Sequence, residues 1–409
     1  MRCLAMPKES GRAMLTFMKV LFTRFPLESI YGGAEVQTLS LMKGLRERGH
    51  EVGFLGSCPV LLGKLQELGI KNKELGIGNP PVTKWGVVSF LWRQRAMRKK
   101  LLNALQASHP SPLPPGEGNV ICMLSLTEKL LLTEWAVAQN IRVFWIEHDR
   151  IGRWLRWNPR LSKLRRLSKL ATTVAVSDLS KRIYVNELGW DPERIAVIPN
   201  GIDVERFRPR DGSSPLTMTR GFHIGCIARL SEEKGVDLLI EAIKDLPNIH
   251  LTIVGTGRDE RKIQNLIRLH LQQRAHSTGS RSGPEPSGPR AGQVTIQYAV
   301  DDVAAFYRSL DIFILPSRDH DPCPLAPIEA MACGVPVIMT NACGTAGYLE
   351  HGKDALIVPS NSIGALKEAI AQLQSDDDLR RRLAERGPRV VAERFSIGRM
   401  VDQYENLLA

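Results

Sequence analysis

The chain has 409 residues, 43% hydrophobic and 24% charged, a composition that fits a soluble globular protein long enough for two domains. No apolar run reaches the length of a membrane span, and seven scattered cysteines without a C-x-x-C pair argue for a reducing cytoplasm and against a zinc site. The net charge of +12 belongs to one half: residues 1–208 carry 32 Lys and Arg against 18 Asp and Glu, net +14, whereas residues 209–409 carry 23 against 25, net −2.

Residues 1–17 lack a continuous apolar core and a cleavage site, so they read as an extension, not a signal peptide, with Met14 or Met18 as alternative starts. Lys19–Arg24 reads as a buried strand. The following loop ends in Gly32-Gly33, and residues 34–48 place Leu39, Met42 and Leu45 at helical spacing before Gly49. With a further strand at Glu51–Leu55, this is the opening of a doubly wound α/β domain. The loop lacks G-x-G-x-x-G, which disfavours NAD. Gly32 and Gly33 would let a backbone approach a phosphate closely, or are ordinary turn glycines.

Residues 106–119 are rich in Pro and poor in apolar side chains, the pattern of a surface loop without a fixed conformation. Val120–Leu124 and Ile141–Ile146 read as strands. The second leads into Glu147-His148-Asp149, at the carboxyl end of a strand, where open α/β sheets hold their ligands. His148 is either a structural histidine or a site residue. Residues 150–170 then carry eight Lys and Arg and no acid, with Trp154, Trp157, Leu161, Leu164 and Leu167 interleaved. That mixture seeks an anionic membrane surface, unless the Leu and Trp pack inward and the charges are simply solvated; Pro159 breaks any single helix there. A second basic run, Arg93 to Lys100, follows Trp92.

Ala171–Ser177 and Ile195–Ile198 are further strands, and Pro199-Asn200-Gly201-Ile202-Asp203 reads as a tight turn with Gly201 at positive φ. Residues 209–220 read as a linker. A second domain opens with a strand at Phe222–Ala228 and the loop Arg229 to Gly235, either a solvated turn or a place where Arg229 and Lys234 reach one diphosphate. A strand at His250–Val254 precedes Gly255-Thr256-Gly257, a loop able to pass under a nucleotide base. Residues 278–293 have a disorder-like composition, and Val294–Gln297 is a strand ending at Tyr298.

The stretch from Asp311 to Met339 organises this half. Ile312–Leu315 is a buried strand, residues 317–324 a loop with two prolines, and Pro327 suits the first turn of a helix, with Glu329 in that same turn. Gly334 fits the left-handed end of that helix, and Val335–Met339 the next strand. Backbone N–H groups at the loop and helix start can converge on a phosphate or a sugar hydroxyl. Glu329 could accept from a ribose diol, and Asp321 would face whatever lies beyond the phosphates. By spacing alone the pair equally fits a turn and a helix-favouring acid. A small-residue loop at 342–347, a strand at 356–359 and helices at 363–373 and 396–409 complete the chain.

Taken together, Asp321, the seven intervening residues, Glu329 and the run Ala330-Met331-Ala332-Cys333-Gly334-Val335-Pro336-Val337 resemble the signature of glycosyltransferase family 4. The Arg229/Lys234-Gly235 loop and the Pro199–Asp203 segment follow in family order. The family more often has Glu at position 321, Gly at 324 and Gly at 298, where this chain has Asp321, Pro324 and Tyr298.

The resemblance implies an α/β protein of two Rossmann-like doubly wound domains facing a cleft, the GT-B architecture. The expected boundaries are 18–208 and 221–395, with a closing helix at 396–409 crossing back onto the first domain. It implies transfer of a sugar from a nucleoside-diphosphate sugar to an acceptor hydroxyl with retention, without metal or cofactor. Arg229 and Lys234 would lie on the diphosphate, the Leu325 amide on the leaving group and Glu329 on the ribose. His148, Gly32 and Gly33 would meet the donor from the first domain, with Asp321, Gly255 and Pro324 around it. The D-x-D spacing Asp319-His320-Asp321, a metal motif of another glycosyltransferase fold, is then coincidental. The expected acceptor is a glycan or lipid-linked glycan and no nucleic acid is expected. The alternatives are a nucleotide-sugar epimerase and a non-catalytic binding protein of the same architecture.

Overall fold

A computed structural model describes residues 17–26, 32–77, 84–106, 118–148, 158–209, 221–277 and 294–409. Most of residues 106–119 and all of 278–293, the linker 210–220 and the first part of the basic stretch, 150–157, therefore lie outside the described residues. Contacts divide the chain into two units, one of residues 1–30, 42–145 and 402–409, the other of residues 31–41 and 146–401.

In the first unit the strands β1 (Lys19–Arg24), β2 (Glu51–Gly56), β3 (Lys71–Glu74), β4 (Asn119–Met123) and β5 (Arg142–Glu147) run parallel in the order β3-β2-β1-β4-β5. β4 is buried along its whole length and β1 almost so, as their continuous apolar sequences require of central parallel strands. The order reverses between β1 and β4, which is where doubly wound sheets open a crevice. Helices α1 (Gly33–Glu47), whose residues up to 41 belong to the second unit, α2 (Pro59–Glu67), α3 (Lys84–Gln106) and α4 (Leu126–Ala138) connect these strands, α4 opening with a Ser125–Glu128 capping box. The last residues of the chain pack here as well: Arg142 donates to the Leu408 carbonyl, and Glu405 accepts from Arg48 Nη1 at 2.6 Å.

In the second unit α5 (Leu161–Ser168) and α6 (Asp178–Leu188) accompany the parallel pair β6 (Thr172–Ala175) and β7 (Ile195–Val197). A six-stranded parallel sheet follows, built from β8 (Phe222–Ile227), β9 (Ile249–Val254), β10 (Val294–Gln297), β11 (Ile312–Leu315), β12 (Val337–Thr340) and β13 (Leu356–Val358) in the order β10-β9-β8-β11-β12-β13. Its switch point lies between β8 and β11. Helices α7 (Val236–Ala242), α8 (Glu260–Ser277), α9 (Val303–Arg308), α10 (Leu325–Ala332), α11 (Ile363–Ser375), α12 (Asp377–Arg394) and α13 (Ile397–Leu408) complete the chain, α13 straddling the division between the units. Arg380, fully buried in α12, donates to the carbonyls of Leu373 and Gln374 at the end of α11, so a guanidinium terminates a helix inside the core.

Three local readings need correction. Gly201 does not take positive φ; a Cβ there would lie 2.8 Å from the Ser396 carbonyl oxygen, and the segment forms a parallel bridge from Ile202 to Ser396 instead of a free turn. The small-residue loop after β12 contains a 3₁₀ turn, Gly344–Tyr348. Helix α10 begins at Leu325, so Glu329 is its fifth residue and lies in the second turn.

Candidate functional site

The loops at the carboxyl ends of β8 and β11, on either side of the switch point, hold most of the predicted residues. After β8, a 3₁₀ turn at Glu232–Lys234 ends at Gly235, whose φ of 64° and whose position against the Pro316 carbonyl oxygen, 2.1 Å from an added Cβ, exclude any other residue without rearrangement. This contact docks the Lys234 loop onto the loop after β11, and the Arg318 amide donating to the Glu233 carbonyl at 2.8 Å fastens it. Lys234 Nζ then reaches Asp321 Oδ2 at 2.6 Å, and Ser317 Oγ donates to the same oxygen at 2.9 Å. The two residues that the sequence assigned to diphosphate and sugar therefore hold one another. An ammonium carries three N–H bonds, so this pair leaves Lys234 able to donate further.

Asp321 is itself fixed by its backbone. It donates from its amide to Ala342 at 3.0 Å and accepts from Gly344 at 2.8 Å. Gly344 tolerates no Cβ, which would fall 1.8 Å from the Pro322 carbonyl oxygen. Asp321 is thus a poor candidate for a D-x-D metal ligand, its carboxylate being tied to Lys234 and Ser317, and Asp319 accepts from the His320 amide at 2.7 Å. Among the described residues no group of three or more His, Cys, Asp or Glu is placed to hold a metal ion. Arg229 is exposed, and while its carbonyl accepts from the Ser231 amide at 2.9 Å, its side chain has no hydrogen-bonding or ionic partner among the described residues. Gly255 and Gly257 lie against Ala228 and Leu230, where added Cβ atoms would sit 2.1 and 2.2 Å from carbonyl oxygens, so this loop supports the Arg229 loop from behind.

The start of α10 is unusual in its donors. Pro324 is the N-cap and Pro327 the third helical residue, so two of the four N–H groups that a helix start leaves unpaired do not exist. Leu325 and Ala326 are the donors that remain. Glu329, one turn further on and half-buried, accepts from Tyr307 Oη at 2.9 Å through Oε2. Burial holds its carboxyl above the usual carboxylate range, against the opposing pull of the Tyr307 hydrogen bond and the charge of Arg206. Tyr307 is fully buried, edge-on to Phe313 at 5.4 Å, and its hydroxyl is held far above its ordinary pKa, first by burial and then by the Glu329 charge.

His148 sits half-buried at the carboxyl end of β5. Gly32 donates its amide to Glu35 Oε2 at 3.1 Å, so that N–H serves the start of α1. Gly33 is the first residue of α1, and a Cβ on it would stand 3.7 Å from Leu325 Cδ1, which brings the glycine loop to the start of α10. Sequence reasoning missed Tyr307, Ser317 and Glu35. It also missed Gln37, whose amide donates to and accepts from Gly201, and Asn200, which donates to the Cys323 carbonyl at 2.8 Å beside Pro324. Glu128, buried at the carboxyl end of β4 with a carboxyl that burial pushes up to about 7, was missed as well.

The sequence model described as Glycosyltransferase Family 4 matches residues 31–206, and that described as Glycosyl transferases group 1 matches residues 221–376. The chain belongs to glycosyltransferase family 4. This family 4 member is 31% identical over 290 residues to an exopolysaccharide phosphotransferase of Streptomyces coelicolor, an alignment covering 70% of this chain and 28% of that protein. It is 30% identical over 225 residues to the lipopolysaccharide core biosynthesis glycosyltransferase LpsE of Rhizobium meliloti, covering 55% of this chain and 60% of the relative. The chain thus spans less than two thirds of the length of either curated relative. Among solved structures, Anabaena HepE in complex with UDP and glucose superposes with a TM-score of 0.72 at 19% identity, over 96% of this chain and 99% of that one. The WaaG glycosyltransferase involved in lipopolysaccharide biosynthesis gives 0.64 at 18% identity, over 95% and 99%. These likenesses establish the α/β fold of two Rossmann-like domains as GT-B.

Proposed function

We propose that this protein transfers a hexosyl group from a nucleoside-diphosphate sugar to an acceptor hydroxyl, with retention and without a metal, in the synthesis of a cell-surface polysaccharide or glycolipid. One observation carries the reading: on either side of the switch point of the second sheet, two cationic side chains lie on the loop after β8, and two unpaired helix amides and a half-buried carboxylate lie on the helix that follows β11. That set suits a diphosphate with a ribose attached. Arg229 and Lys234 would neutralise the diphosphate, the Leu325 and Ala326 amides would donate to it, and Glu329 Oε1 would accept from the ribose while Oε2 stays on Tyr307. Charge grows on the diphosphate as the glycosidic bond breaks, so fixed positive groups there favour the transition state over the ground state.

In this reading Asp321 orients Lys234, Gly255 and Pro324 shape the two loops, and His148, Gly32 and Gly33 meet the donor sugar from the glycine-loop side. The domain extents 18–208 and 221–395 belong to the same proposal. Relatives named for lipopolysaccharide and exopolysaccharide work, and a fold neighbour titled with UDP and glucose, support the donor and product classes. The basic first half supports a lipid-linked acceptor at the cytoplasmic face of an anionic membrane.

Calorimetry against a panel of nucleoside diphosphates and their sugars tests the reading. At least one should bind, its affinity should fall when Arg229 becomes Ala, and turnover should fall further than affinity does. Arg229→Lys should not restore it, because the planar fork is lost. A panel with no binder, or an Arg229→Ala enzyme with unchanged affinity and turnover, places the donor elsewhere. Conversion of the donor with no acceptor present would favour an epimerase.

A further inference from the structure

We propose that helix α3 is the element that docks this protein on an anionic lipid bilayer; the proposal rests on the lipid-linked acceptor read above and names the surface that would reach it. Over 23 residues α3 carries six Lys and Arg and no acid. Its inner face is an ordinary core face: Phe90, Met97, Leu101, Ala104 and Leu105 are buried. Its outer face is not ordinary. Val88, Leu91 and Trp92, at i, i+3 and i+4, are 45%, 56% and 75% exposed, and Arg95 and Lys99 continue the same stripe. Three large apolar side chains exposed side by side are uncommon on a soluble surface and mark a place where something covers them.

The charge pattern says what does. Arg95, Arg98, Lys99 and Lys100 are all exposed, directly after the apolar cluster. A second copy of the chain would set like charges against like, and a nucleic acid would use the cations but leave Val88 and Leu91 in water. An anionic membrane takes both: the apolar side chains enter the headgroup boundary, with Trp92 at the level its amphipathic ring prefers, and the cations meet lipid phosphates. The stretch 160–170, richer in charge, is a weaker candidate. In α5 Leu164 and Leu167 point into the core and Arg165 donates to the Leu188 carbonyl, so the described part of this stretch presents charge with Leu170 as its one large exposed apolar side chain. No helix among the described residues is long and apolar enough to cross a membrane, so the contact is peripheral.

Co-sedimentation with vesicles of phosphatidylcholine alone, and of phosphatidylcholine with phosphatidylglycerol, tests the assignment. The whole protein should pellet with the anionic vesicles only, and less as salt rises. Changing Arg95, Arg98 and Lys99 together to Gln should weaken binding at least tenfold, since each cation near an anionic leaflet contributes about fivefold. Leu91→Ser should weaken it too, and brominated lipid should quench wild-type tryptophan emission more than that of Trp92→Phe. These residues are exposed, so nucleotide binding should be unchanged and reports that the variants fold. Wild-type protein that ignores anionic vesicles at low salt removes the membrane reading and this proposal together. Wild-type binding that survives all the α3 changes leaves the membrane reading in place and removes α3 from it. Concentration-dependent dimers that those same changes dissociate, with no vesicle binding, overturn the proposal in favour of self-association.

Discussion

The Tyr307 hydroxyl and the Glu329 carboxylate share a hydrogen bond where burial disfavours the carboxylate's charge, and under the proposed function this would couple ribose binding to pH. The folded-state pKa of Glu329 is raised, so on going down in pH it takes up its proton earlier than an ordinary glutamate and loses an acceptor. Affinity for the tightest donor of the panel should therefore fall on acidification sooner than an ordinary glutamate would make it fall. Glu329→Gln should flatten the profile and weaken binding at neutral pH by about 1.5–3 kcal/mol, the worth of a charge-assisted hydrogen bond. Tyr307→Phe removes a donor that favours the charged form, so its midpoint should move to higher pH with Glu329 still present. A Tyr307→Phe profile superimposable on wild type would make Tyr307 a packing residue only. Arg229, Lys234, Asp321 and Glu329 were named from the sequence through the family resemblance, since their spacing alone fits a solvated turn and a helix-favouring acid equally well. Tyr307 was not, because it lies 22 residues before Glu329 and meets it only through the packing of α9 on α10.

At the scale of elements, continuous apolar runs identified the buried parallel strands, and the bounds read for α1, α11 and α13 fall within two residues of the observed ones. Pro327 does lie in the first turn of α10, at its third position, where a missing N–H is harmless, but the helix starts at Leu325 and so carries Glu329 into the second turn. Helix α12 went unread, since Gly387-Pro388 in its interior has the look of a break. The structure supplies the reason for the glycine: a Cβ on Gly387 would stand 2.7 Å from the Met331 carbonyl oxygen of α10. Close approach of α12 thus presses on the back of the helix whose start carries the donor amides. Gly387→Ala gains about 1 kcal/mol of helix propensity but faces a backbone clash of about 1–3 kcal/mol. The expected result is a net loss of about 1 kcal/mol in urea unfolding, with weaker donor binding if α10 shifts. An Ala variant as stable as wild type would mean that the two helices part without strain.

For the whole molecule, the first unit is completed by residues that the chain supplies last. His50 and Glu405, 355 positions apart, meet at 2.8 Å between Nε2 and Oε1, both nearly buried. Arg48 donates to the other carboxylate oxygen and to Asp402. This closure was only half legible: a closing helix at 396–409 was expected, but nothing in sequence says which acid in it will be buried. Burial works against the charge on Glu405, yet the hydrogen bonds from His50 and Arg48 outweigh it and hold its carboxyl below the usual range. A depressed carboxylate contributes stability that is present above its unfolded pKa, near 4.5 for glutamate, and disappears as pH falls through the folded value. Glu405→Gln should therefore destabilise the first unit at pH 7 by about 2–3 kcal/mol, since it removes the charge from two charged or chargeable partners. The gap from wild type should narrow below about pH 4.5, where the native carboxylate protonates as well. Thermal unfolding of both proteins across that range decides it. A gap that stays constant down to pH 3 would show that glutamine costs shape, not charge, and that the chain's end is held to its beginning by packing alone.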